Sequence, residues 1–170
     1  MRSMTAIRVL QRLAPVALAI ASLSQPTFGQ TQPPPPVPPD VLAKACVQMQ
    51  LDIQTELIAT IQKGCARVVE ILELMAKFNA PAQEIEAAGA EGHSKLSAFY
   101  ESGFGFLINC ERDCQTLLDS YDESPNLITP LKKVVENARI DADAKVAQVA
   151  MQAFAKISAA LGRLLGDAPR

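Results

Sequence analysis

From Val41 to Phe78 the chain holds one amphipathic phase over 38 consecutive positions. At 100° per residue, one side collects Leu42, Cys46, Met49, Ile53, Leu57, Ile61, Gly64, Cys65, Val68, Ile71, Leu72, Met75 and Phe78. Lys44, Gln48, Asp52, Thr55, Lys63, Arg67, Glu70, Glu73 and Lys77 occupy the other. This phase predicts a single long helix whose apolar side must be covered along its whole length. Asp40 can cap its start. Asn79-Ala80-Pro81 ends it, because a proline disfavours helical geometry in the residue before it.

Two further stretches repeat the helical pattern. Ala82 to Gly92 contains Gly89 and Gly92 and reads as a weak helix or a turn. From Ser94 to Tyr121, a three-then-four spacing runs through Leu96, Phe99, Tyr100, Gly103, Leu107, Cys110, Cys114, Leu117, Leu118 and Tyr121. Gly103, like Gly64, falls on the apolar stripe. A small residue there lets two backbones approach closely, or else Ser102 to Gly105 marks a kink. Ser124-Pro125 and Thr129-Pro130 both match a cap followed by proline at the first helical position, so a third helix starts at one of them. It runs to about Leu165, and Gly166 closes it. The fold expected is all-α: an elongated antiparallel bundle of three long helices, held by one or more disulfides.

The third helix carries an unusually wide apolar arc opposite a narrow polar stripe of Lys145, Gln148, Gln152, Lys156 and Arg163. An arc that wide implies burial on more than one side. Ala150, Phe154, Ile157, Leu161 and Leu165 are therefore the candidate interface residues, expected to stay partly exposed in a three-helix monomer.

The first 29 residues contain Arg2, Arg8 and Arg12 and no acid, followed by an apolar run from Ala14 to Leu23. That run is shorter than the roughly 20 residues that span a bilayer. A basic front, a short apolar middle and small residues at Thr27 and Gly29 describe a secretory signal peptide over 1–29, cleaved after Gly29. A mitochondrial transit peptide is also basic and acid-free, but such peptides are amphipathic, whereas Val16 to Ile20 is apolar all round. Residues 30–39 hold six prolines in ten positions, an extended linker or spacer. Residues 40–170 form the helical domain. Without the three N-terminal arginines, 13 basic residues face 18 acidic ones, a balance that argues against a nucleic-acid partner.

All four cysteines, Cys46, Cys65, Cys110 and Cys114, lie on apolar stripes. In an exported chain they are disulfide candidates. Their spacing is wrong for structural zinc, and a redox pair would require Cys-x-x-Cys. Cys46 and Cys65 are about 28 Å apart on one straight helix, beyond the roughly 7 Å a disulfide bridges. If the hairpin turns near residue 80, Cys46 faces Cys114, each 34 residues away. If it turns near 87, Cys65 approaches Cys110. The first pairing is the one expected. His93, the one histidine, has no nucleophile or orienting partner in any motif and reads as a surface or helix-entry residue.

No catalytic, metal or cofactor site emerges from these patterns. The sequence predicts an exported, non-enzymatic helical protein, periplasmic or secreted, that serves as a binding or structural component of the cell envelope. Its partner is another protein or a second copy of itself. The alternative is an amphipathic binder of lipid or an apolar ligand, using residues 144–166 in peripheral membrane contact. That segment carries Lys145, Lys156 and Arg163 and no acid.

Overall fold

The computed structural model describes residues 37–122 and 124–166. The signal-peptide segment and most of the proline-rich segment lie outside these residues. Three helices account for the described chain: α1 (Pro39–Lys77), α2 (Ala82–Asp119) and α3 (Pro125–Gly166). Helix α1 begins two residues earlier than expected and takes in the last proline of the linker. Proline is tolerated at the first helical position because its missing N–H has no intrahelical partner to lose. Asp40 consequently lies in the first turn, where it pairs with Lys44 at 3.2 Å instead of capping the helix.

Helix α1 closes with a specific backbone device. Asn79 adopts φ 56°, the left-handed conformation that asparagine tolerates better than most residues. Its N–H donates to the Ala76 carbonyl at 3.0 Å, and that of Ala80 donates to Met75 at 2.9 Å. These two bonds satisfy the last carbonyls of the helix and redirect the chain before Pro81. Helix α2 starts immediately and runs without interruption through both regions where the sequence suggested a turn or a kink. The reason is tertiary: Gly89 and Gly92 are buried against neighbouring helices, which compensates for their poor helical propensity. His93 therefore sits well inside α2 rather than at a helix entry.

Helix α3 starts at the first of its two candidate signals. Ser124 accepts from the Asn126 N–H at 3.4 Å, and Pro125 is the first helical residue. Pro130 is thus inside the helix, where it removes one hydrogen bond to the carbonyl four residues earlier. That residue, Asn126, is exposed, so its carbonyl keeps access to solvent.

Facing pairs fix the register. Cys46 joins Cys114, with Cα atoms 6.1 Å apart. A Cβ placed on Gly103 would meet Leu57 Cδ2 at 2.5 Å, one on Gly92 would meet Val68 Cγ1 at 2.6 Å, and one on Gly64 would meet Leu96 Cδ2 at 2.7 Å. Each pair is symmetric about residue 80, so α1 and α2 are antiparallel. Between α2 and α3, Asp119 pairs with Lys132, Glu111 with Arg139, and Gly89 packs on Leu161, again antiparallel. Helices α1 and α3 run parallel, since Cys65 meets Ala153 and Glu73 meets Arg163 further along both.

The core follows most of the expected stripe. Leu57, Ile61, Leu72, Leu107, Leu118, Val146 and Ile157 are buried, each worth roughly 1.5–3 kcal/mol. Two members of the predicted α1 stripe depart from it. Ile71 is 45% exposed and Phe78 76% exposed, because α2 and α3 cover a narrower arc than the apolar residues span.

Candidate functional site

The core is not continuous. One buried cluster contains Leu57, Ile61, Leu72, Leu107, Ala142 and Val146 among its 12 residues. A second consists of Ala43, Cys46, Cys114, Leu118, Ile128 and Val135. In each helix the interval between them carries polar side chains, Gln50 and Gln54 on α1, Glu111 on α2 and Arg139 on α3, with Asp143 one turn further on, while Met49 and Cys110 pack on the smaller cluster and Ile53 on the larger. The Glu111–Arg139 pair and the register about residue 80 place these groups at one level of the bundle.

Gln50 is fully buried, and neither of its amide atoms has a hydrogen-bond partner among the described residues. Gln54 Oε1 and Asp143 Oδ1 are also buried without one. Arg139 donates from Nε to Glu111 and from Nη1 to Asp143. One guanidinium thus serves two carboxylates. Burial pushes the Asp143 carboxyl above its usual range, and this outweighs Arg139, which is shared with Glu111. For Arg139 itself burial opposes the charge, but the hydrogen bonds to Glu111 and Asp143 prevail and hold it more firmly protonated.

The cysteines divide into a disulfide and two thiols. Cys46–Cys114 is the pairing expected from a turn near residue 80. Cys65 is buried and its Sγ lies 3.4 Å from the Ala153 carbonyl, to which it donates. Burial raises its pKa, although Lys156 opposes this. Cys110 is half-buried beside the smaller cluster, and burial, with the Asp113 charge, pushes its thiol up to about 11. Both thiols are therefore protonated and weakly nucleophilic near neutral pH. Among the described residues, no three side chains of metal-binding type converge.

The candidate interface residues do not form an outward patch. Ala150 and Ile157 are buried in the larger cluster, and Phe154, Leu161 and Leu165 are half-buried against it. The expectation of partial exposure is corrected for Ala150 and Ile157, because α3 lies against both other helices and its wide arc is used by two contacts. Phe154 also meets the exposed His93, with ring centroids 4.3 Å apart, and Leu161 lies over Gly89.

The edge between α1 and α3 is open to solvent. A groove of about 530 Å³ runs there. Its lining mixes small apolar side chains, Ala66 and Val69 from α1 and Val149, Ala153 and Ala159 from α3, with the amides Gln62 and Gln152. Its rims carry opposite charges. Glu70 and Glu73 stand on the α1 side, Lys156 and Arg163 on the α3 side, all exposed. Arg163 Nη2 lies 3.9 Å from Glu73 Oε1.

Sequence reasoning missed both the polar layer and this groove. Gln50 sits four residues after Cys46 and seven before Leu57, on the apolar phase, and that position was the available signal for a buried amide. The groove had no comparable signal, because it depends on which helix faces which. The chain matches no family model, no curated protein and no solved structure.

Proposed function

We propose that this chain is an exported, non-enzymatic binding or structural component of the cell envelope, and that it binds its partner through the α1–α3 groove. The observation that carries the reading is that groove: an open cleft between two helices, lined by small apolar side chains and two amides, with acids along one rim and bases along the other. A helical partner seats on such a surface by packing small residues closely and matching the rim charges. The acid-free basic start of the chain and the Cys46–Cys114 disulfide both suit an oxidising exported compartment.

The test is site-specific photo-crosslinking in the exported protein, with the probe at Ala66 or Ala159, and at Thr116 as control. A discrete product from both groove positions and none from Thr116 supports the reading. No product from the groove, or a full-length chain retained in the cytoplasm, ends it. The alternative, lipid binding through residues 144–166, is favoured only by the exposed Met151, which is 64% accessible on the acid-free stretch. Val146, Ala150, Ala153, Ile157 and Ala160 are committed to the core, so α3 would have to leave the bundle to lie in a bilayer. No described helix is long and apolar enough to cross a membrane. Flotation with anionic vesicles separates the two readings.

A further inference from the structure

Building on that reading of the groove, we infer that its occupant is a second copy of this chain, docked as a parallel two-fold dimer. The argument is the charge pattern. Glu70 and Glu73 lie on α1, and Lys156 and Arg163 on α3; because the two helices run parallel, Glu73 stands level with Arg163. A closed dimer uses the same patch on both copies, so the patch must complement itself under a two-fold rotation.

Two orientations of the axis bring groove onto groove. With the axis perpendicular to the helices, α1 faces α1 and acid meets acid. With the axis parallel to them, α1 of each copy faces α3 of the other, and no sliding along the helices is introduced. Glu73 of one copy then meets Arg163 of the next, twice over, so the two intrachain Glu73–Arg163 pairs close into one alternating four-charge cluster, with Glu70 and Lys156 nearby on the same rims. Ala66 and Val69 on the floor allow the helices to approach without displacing a large side chain. The rim groups are solvent-exposed, so their attraction should weaken as salt is added.

Charge reversal tests this directly by sedimentation of the mature protein. The parent should be a dimer that weakens in high salt. Two variants, Glu70→Lys with Glu73→Lys and Lys156→Glu with Arg163→Glu, should each lose association by roughly tenfold or more. An equimolar mixture of the two should recover the dimer, because each then supplies the charges the other lacks. A chain carrying all four reversals should also self-associate. Circular dichroism confirms that every variant remains helical. A parent monomeric at all concentrations overturns the inference, as does helical variant protein whose association is unaffected or whose mixture stays monomeric. These failures are separable from failure of the binding reading: a groove crosslink to a different protein keeps that reading and removes the dimer.

Discussion

The two clusters on either side of the polar layer are built on different principles. The larger contains 12 buried residues and is tightened by glycine contacts, with Gly64, Gly92 and Gly103 all letting α1 and α2 approach closely. Its cohesion is dispersive and hydrophobic, spread over many contacts. The smaller contains six buried residues, two of them the cysteines of the disulfide. So few side chains bury little apolar area, and the covalent link supplies the closure that packing does not. The contrast shows that one bundle can be held by area at one end and by a crosslink at the other, with a polar layer marking the boundary.

Removing the crosslink tests this contrast most directly. Cys46 and Cys114 are 68 residues apart, and opening a loop of that length costs about 4 kcal/mol in the chain-entropy account. Cys46→Ser with Cys114→Ser should lower the denaturation midpoint accordingly. Hydrogen exchange should rise first in Ala43 to Gln50 and Cys114 to Asp119, with Ile61 to Leu72 protected longest. Uniform loss of protection would mean the two clusters are one cooperative unit.

Cavity substitutions sharpen the same contrast. Leu72→Ala and Leu118→Ala each empty a fully buried position and should cost about 2–5 kcal/mol. In a double-mutant cycle with the disulfide, Leu118→Ala should couple to the crosslink and Leu72→Ala should be additive. Equal coupling at both sites would contradict the division. The double change Phe154→Asp with Leu161→Asp should unfold the monomer rather than merely dissociate it, since both side chains pack on the larger cluster.

The boundary layer gives a smaller effect of opposite sign. Gln50→Leu replaces two buried, unpartnered amide atoms with a side chain of similar size, and should stabilise the protein by about 1–3 kcal/mol in urea titration. A loss of stability would show that the amide has a role the packing does not reveal.

Smallest is the pH response of Asp143. Burial holds its folded pKa above the usual 3.8. The folded state binds this proton more tightly than the unfolded chain. Its contribution is therefore complete below about pH 3.8 and is lost as pH rises through the elevated folded value. Asp143→Asn should remove that slope, so the variant gains on the parent as pH climbs through this window. A variant that tracks the parent in parallel would exclude the effect.

The helices were legible because their signals are local. The phase of α1, the stop at Asn79-Ala80-Pro81 and the Ser124-Pro125 start each depend on a few adjacent residues. The disulfide was legible in part: counting from a turn near residue 80 puts Cys114 opposite Cys46, and the start of the second helix at Ala82 is what selects that turn over one near 87. Ala82 to Gly92 was not, since two glycines weaken a helix locally and only Val68 and Leu161, from other helices, reveal what they are for. Ile71 and Phe78 were misplaced because a stripe read on one helix does not say how much of it the neighbours cover.

The sequence by itself determined three helical segments and their order, and tied the partner of Cys46 to where the first hairpin turns. These follow from periodicity, caps and chain length, which need no knowledge of neighbours. The tertiary structure alone decided that Ala150 and Ile157 turn inward, that Gln50, Glu111, Arg139 and Asp143 share one level, and that the acids of α1 border the same groove as the bases of α3. Each of these depends on the relative placement of residues far apart in the chain, and helical periodicity carries no information about that placement.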